Sequence, residues 1–120
     1  MWVVEFYETE SGATPVEDFL NALDIKMRAK ALHELEILEE FGRALREPYA
    51  KYIHDGIFEL RIQLANNISR MFYFFFDGER IIVTNGFVKK SQKTPPREIE
   101  RAEKYKADYQ RRAKTDETIA

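Results

Sequence analysis

The chain contains no cysteine, which excludes a disulfide scaffold, a thiolate nucleophile and a cysteine metal site. Histidine is nearly absent as well. His33 and His54 stand too far apart to form a ligand pair, so no metal and no cofactor are expected. Long hydrophobic runs are also missing. The longest, Met71 to Phe76, falls far short of the ~20 residues of a membrane helix. No basic stretch leads into an apolar run at Met1-Trp2-Val3-Val4-Glu5, so no secretory signal is expected. Together these absences fit a cytoplasmic protein without membrane contact.

What remains is the composition of a globular protein. The sequence has 120 residues, 44% of them hydrophobic and 33% charged, too apolar for disorder and sized for one domain over residues 1–120. The net charge of −2 hides an asymmetry. Residues 1–60 carry 6 basic and 13 acidic side chains, whereas residues 87–114 carry 10 basic and 4 acidic. Such a split suits either a phosphate-binding region on an acidic body or a solvated basic helix.

Trp2 to Tyr7 reads as a short strand. Thr14-Pro15-Val16-Glu17 has the pattern of a capping box that opens a helix ending near Leu23. Asp24 caps a second helix whose stripe is Met27, Ala31, Leu35 and Leu38, widened by Leu32 and Phe41; Glu34, Glu36, Glu39 and Glu40 take the wetter side, and Gly42 ends it. From Ile53 the period changes to two. Phe58, Leu60, Ile62 and Leu64 alternate with Glu59, Arg61 and Gln63, a strand with one wet face. A turn is expected at Asn66-Asn67, a central strand over Arg70–Phe76, a turn at Asp77-Gly78 and a strand over Ile81–Val88, where Gly86 marks a bulge or a close approach. Thr94-Pro95-Pro96 starts a last helix to about Arg112 with Ile99, Ala102, Tyr105 and Tyr109 inward, and residues 113–120 are expected to fray. The order β-α-α-β-β-β-α predicts an α+β fold: a central antiparallel sheet with two N-terminal helices packed on it and a C-terminal helix.

Three groups of cations stand out. Arg61 lies on the polar side of its strand, Arg70 opens the most apolar strand, and Lys89, Lys90 and Lys93 follow the last strand. Hairpin pairing brings all three to one end of the sheet. Clustered guanidinium and ammonium groups suit phosphodiester binding and the stabilisation of extra charge on phosphorus. The competing reading pairs Arg61 with Glu79, and Arg70 with Asp77 or Glu79, as plain ion pairs. The aromatic run Phe72 to Phe76 is core rather than a base-stacking platform, and His54 suits a surface turn.

The segment Ile57-Phe58-Glu59-Leu60-Arg61, followed by Ser69-Arg70-Met71-Phe72-Tyr73-Phe74 and Asp77-Gly78, resembles HigB-type toxins of the RelE/ParE superfamily. So does Asn85-Gly86-Phe87-Val88-Lys89-Lys90-Ser91-Gln92-Lys93-Thr94-Pro95 with Glu98, Ile99 and Ala102. The likeness is to the phage-derived, host-inhibition branch and is strongest between Gly56 and Ala102. It implies a RelE-like fold and the toxin of a type II toxin–antitoxin pair. The implied activity is that of a metal-independent endoribonuclease that cuts mRNA on the ribosome by attack of the ribose 2′-hydroxyl. On this resemblance Arg61, Arg70 and Lys93 are the catalytic residues, and Lys89, Lys90, Arg97 and His54 bind RNA. The implied partners are the ribosome with its mRNA and a helix-turn-helix antitoxin, joined with the toxin in a heterotetramer. Several relatives carry a histidine or tyrosine near the chain end as acid or base, without a clear equivalent here. Two alternatives stand beside this reading: a non-nuclease inhibitor of the gyrase-poisoning type, and an inactive antitoxin-binding member.

Overall fold

The computed structural model describes residues 1–90 and 93–119, with side chains as far as residue 115. In chain order the elements are β1 (Val3–Phe6), α1 (Pro15–Ala22), α2 (Ile25–Phe41), a short 3-10 turn over Gly42–Ala44, β2 (Ala50–His54), β3 (Ile57–Leu64), β4 (Asn67–Phe76), β5 (Arg80–Val88) and α3 (Pro96–Ile119). The α+β fold expected from the sequence is the one observed, with one strand more. β2 escapes a pattern reading because it is an edge strand with little alternation to betray it: Lys51, Tyr52 and His54 are all exposed. The strands form one sheet in the order β1-β5-β4-β3-β2. β2 to β5 pair antiparallel with their neighbours, while β1 joins the far edge parallel to β5.

Both faces of the sheet are covered. Leu60, Ile62, Met71, Tyr73, Ile81 and Val83 pack against Val16 and Leu20 of α1 and against Met27, Ala31, Leu35 and Leu38 of α2. On the opposite face, Ile57, Phe72 and Phe87 meet Ala102 and Ile99 of α3. Phe74, Ile82 and Tyr7 meet Tyr105 and Tyr109 further along that helix. The face expected to be wet on β3 is therefore partly roofed by α3. Glu59 is buried there.

Local signals hold in part. The Asp24 carboxylate accepts from Met27 N at 2.9 Å and caps α2, and Gly42 ends it at φ 49°. Thr14 occupies the N-cap of α1 but makes no side-chain cap bond, so the capping box does not form. The β3–β4 turn lies at Ala65-Asn66, with Leu64 facing Asn67 across it. Gly86 is a close approach, since a Cβ there would lie 2.5 Å from Phe19 Cδ2 of α1. The bulge is set at Thr84 instead, between the pairs Phe72–Asn85 and Tyr73–Val83. Leu32 and Phe41 are half-exposed rather than part of the stripe, and Glu34 is buried, held by Lys30 at 3.1 Å. α3 continues past Arg112 to Ile119; the fraying expected over 113–120 gives way to helical backbone through 119, and Ala120 lies outside the described residues.

The α3 seam contains two phenols with raised pKa values. Burial, aided by a hydrogen bond that Tyr7 donates to Asp108 Oδ2 at 2.5 Å, pushes Tyr7 up to about 12. Burial first, then a hydrogen bond to Glu5, pushes Tyr109 up to about 12. The folded state thus holds these protons more tightly than an unfolded chain, whose phenols titrate near ~10. Their contribution to stability is complete below pH ~10 and is lost as pH rises towards about 12. Phenolate absorbance is expected to separate Tyr7 and Tyr109 from the more exposed tyrosines, and Tyr7→Phe should flatten the alkaline fall in stability. One common transition near pH ~10 would contradict this.

Candidate functional site

Strand register assembles the site. Arg61 on β3 and Arg70 on β4 are direct cross-strand partners, so their side chains leave the sheet on the same face. Arg70 also faces Phe87 on β5, and the backbone of Lys89 continues the pairing by donating to Ile68 O at 2.9 Å. The third cation therefore comes to the same end of the sheet. On the other side, Lys51 of β2 stands opposite Glu59 of β3. Successive same-face positions on β3 are occupied by Glu59 and Arg61.

Glu59 organises this cluster. Its side chain is 6% exposed, and Oε1 lies 2.9 Å from Arg70 Nε, whose own side chain is 9% exposed. Oε2 accepts from Thr94 Oγ1 at 2.6 Å, which ties the segment before α3 to the sheet. Arg70 nonetheless retains unspent donor capacity: Nη1 is buried with no hydrogen-bond partner among the described residues. A cavity of about 260 Å³ lies beside it, its wall including Glu47, Pro48, Lys51, Glu59, Arg61 and Arg70. Burial lowers the Arg70 pKa, the Arg61 charge lowers it further, and Glu59 opposes both. Lys89 is likewise held below the usual lysine value, chiefly by burial and then by Arg70, with Arg61 and Lys51 adding to the effect against Glu59. Four cations crowded round one buried carboxylate cost stability unless an anion joins them. Fixed guanidinium donors beside an open volume can bind a phosphate and stabilise a doubly charged equatorial array.

Of the seven residues singled out from sequence, Arg61, Arg70 and Lys89 converge. Lys90 follows Lys89 and is exposed. Lys93 is exposed and directly precedes Thr94, whose hydroxyl reaches Glu59. Arg97 is exposed on the first turn of α3. His54 is not brought into the cluster: it pairs with Ile57, four residues along β3 from Arg61, roughly 13 Å at the strand rise. The ion pairs considered as alternatives do not form, because Arg70 takes Glu59, Arg61 Nη2 donates to Gln63 Oε1, and Asp77 holds Arg80. Glu59, Lys51 and Thr94 complete the site and were not singled out. The sequence did contain a signal for Glu59, an acid two positions before an arginine on a strand. Lys51 was hidden with its strand. Among the described residues no group of three His, Asp or Glu side chains is arranged to hold a metal ion, and no helix is long and apolar enough to cross a membrane.

An α+β sheet protein with a cationic pocket at the open end of one face defines the class. The family model described as "Phage derived protein Gp49-like (DUF891)" matches residues 18–107, and the chain belongs to that family, which lies within the RelE toxin-like superfamily. The match takes in every residue of the cluster. No curated protein matches the chain.

Proposed function

We propose that this protein is the toxin of a type II toxin–antitoxin pair, of the HigB type, and that it inhibits translation in the cytoplasm by cutting mRNA on the ribosome. The observation that supports this reading is the Arg61–Arg70 pair on one sheet face, beside Lys89 and an open cavity. The scissile phosphate sits against Arg61 and the unspent Nη1 of Arg70. The ribose 2′-oxygen attacks phosphorus, the P–O5′ bond breaks, and the products are a 2′,3′-cyclic phosphate and a 5′-hydroxyl. The proton of the 2′-hydroxyl leaves as the new P–O bond forms, and the departing 5′-oxygen takes one up. Lys89, with its lowered pKa, is suited to this exchange. Lys93 approaches from the Thr94 side of Glu59 as a further charge on the transition state. Lys90 and Arg97 extend the basic rim along the RNA, and His54 meets a neighbouring nucleotide. Glu59 keeps Arg70 in position. A helix-turn-helix antitoxin neutralises the toxin by binding it as a heterotetramer.

In a cell-free translation system, the purified protein is expected to cleave ribosome-bound message and to leave naked RNA largely whole. Message that survives unchanged would refute the proposal, and loss of DNA supercoiling activity in its place would favour a gyrase inhibitor.

A further inference from the structure

A second cavity, of about 230 Å³, shares the Pro48 and Arg61 walls of the first and lies beyond them. Its other lining residues are Lys30, Glu34, Tyr49 and Gln63. Glu34 is an unusual residue to find there. It projects from α2, a charged helix with ample solvent on its outer side, yet its side chain is only 5% exposed. Lys30 Nζ holds Oε1 at 3.1 Å, but Oε2 is buried without a hydrogen-bond partner among the described residues. An unpaired buried carboxylate oxygen is costly and is retained where a donor arrives from elsewhere. Two orphaned groups thus flank the Arg61–Pro48 wall, a guanidinium donor on one side and a carboxylate acceptor on the other.

We propose that the cavity between Lys30, Glu34, Tyr49 and Gln63 is a nucleobase subsite that selects guanine beside the phosphate bound at Arg61 and Arg70. A carboxylate only accepts, and of the four RNA bases guanine presents two donors side by side, N1–H and the N2 amino group. Adenine and cytosine set an amino group next to an acceptor nitrogen, and uracil sets its one donor between two carbonyls. Lys30, 35% exposed and therefore free to turn, supplies a donor for guanine O6. Gln63 is exposed and spends its amide on Arg61 and on Ala65 O, so it can redirect its donors toward the base. Tyr49, 49% exposed, offers a ring face for stacking. The phosphate placement rests on the RNA-cleaving reading; the base selectivity does not.

The test is titration of the protein with 5′-GMP, 5′-AMP, 5′-CMP and 5′-UMP, followed by NMR shifts at Tyr49, Arg61 and Gln63, with inorganic phosphate as the reference for the phosphate pocket alone. GMP is expected to bind about tenfold more tightly than the others, the discrimination of one bidentate contact. Glu34→Gln keeps the volume but sets a donor against guanine's donors, and should erase that preference while phosphate binding persists. Tyr49→Ala should weaken all four nucleotides together and keep guanine first. Equal affinities for the four nucleotides, or a Glu34→Gln protein that still prefers GMP, would overturn the subsite. A protein that spares ribosome-bound message yet keeps the GMP preference and its loss in Glu34→Gln would refute the cleavage reading and leave the subsite standing.

Discussion

Arg70→Ala is expected to lower ribosome-dependent mRNA cleavage by on the order of a hundredfold or more, the effect of losing a donor aimed at developing charge. The same change should also destabilise the fold. Arg70 and Glu59 are both buried and face each other at 2.9 Å. Removing one member strands the other as an uncompensated charge, at about 3–5 kcal/mol. A loss of cleavage in Arg70→Ala alone would therefore not separate chemistry from folding. The double variant Glu59→Met with Arg70→Met makes the separation, because replacing both members of a buried ion pair by apolar side chains is often neutral. Its denaturation midpoint should return most of the way to that of the parent, with cleavage still lost. Recovered cleavage in the double variant would remove Arg70 from the catalytic set. Glu59→Gln provides the complementary reading, since it leaves Arg70 in place with its carboxylate partner neutralised.

The pairing behind these expectations was only half visible in the sequence. Alternation placed Leu60 and Ile62 on one side of β3 and Arg61 on the other, and the hairpin logic brought Arg61, Arg70 and Lys89 to one end of the sheet, where the register now sets them. What alternation cannot tell is which neighbour covers the second face. Glu59 has the same periodicity as a solvated glutamate. It is buried because α3 and Thr94, some 35 positions away along the chain, close over it. Glu34 differs: its spacing, seven residues after Met27 and four before Leu38, sets it on the buried stripe, and only its charge argues for the wet side, yet its side chain lies buried against the cavity wall that also includes Pro48 and Arg61. Edge strands give the weakest signal of all. β2 lacks alternation because much of it is exposed on both faces, and with it Lys51 went unnoticed. β1 showed its strand character but not its parallel pairing, which depends on where the chain returns after two helices. Local chemistry was therefore legible, and long-range burial was not.

Arg61→Ala should give a different signature from Arg70→Ala. Cleavage is expected to fall by about a hundredfold, as for any donor on the scissile phosphate, but stability should stay level or rise by roughly 0.2–1 kcal/mol. Arg61 is half-exposed, so no buried carboxylate is stranded when it goes. Its charge stands directly opposite Arg70 and lowers the pKa of both Arg70 and Lys89. Like charges in that relation repel, and the fold is held together against them by Glu59. Removing Arg61 should also lift the depressed Lys89 pKa, so that any cleavage that remains shifts its pH dependence to higher pH. Binding of a 2′-O-methyl RNA, which cannot be cut, should lose salt dependence by about 0.7 in the log–log slope, one phosphate contact to a single strand. Denaturation, pH–rate profiles and salt titrations measure these effects independently. A clear loss of stability in Arg61→Ala would mean that this arginine serves the fold, whereas lost cleavage in a protein as stable as its parent marks a cation kept for an anion that the chain does not itself provide.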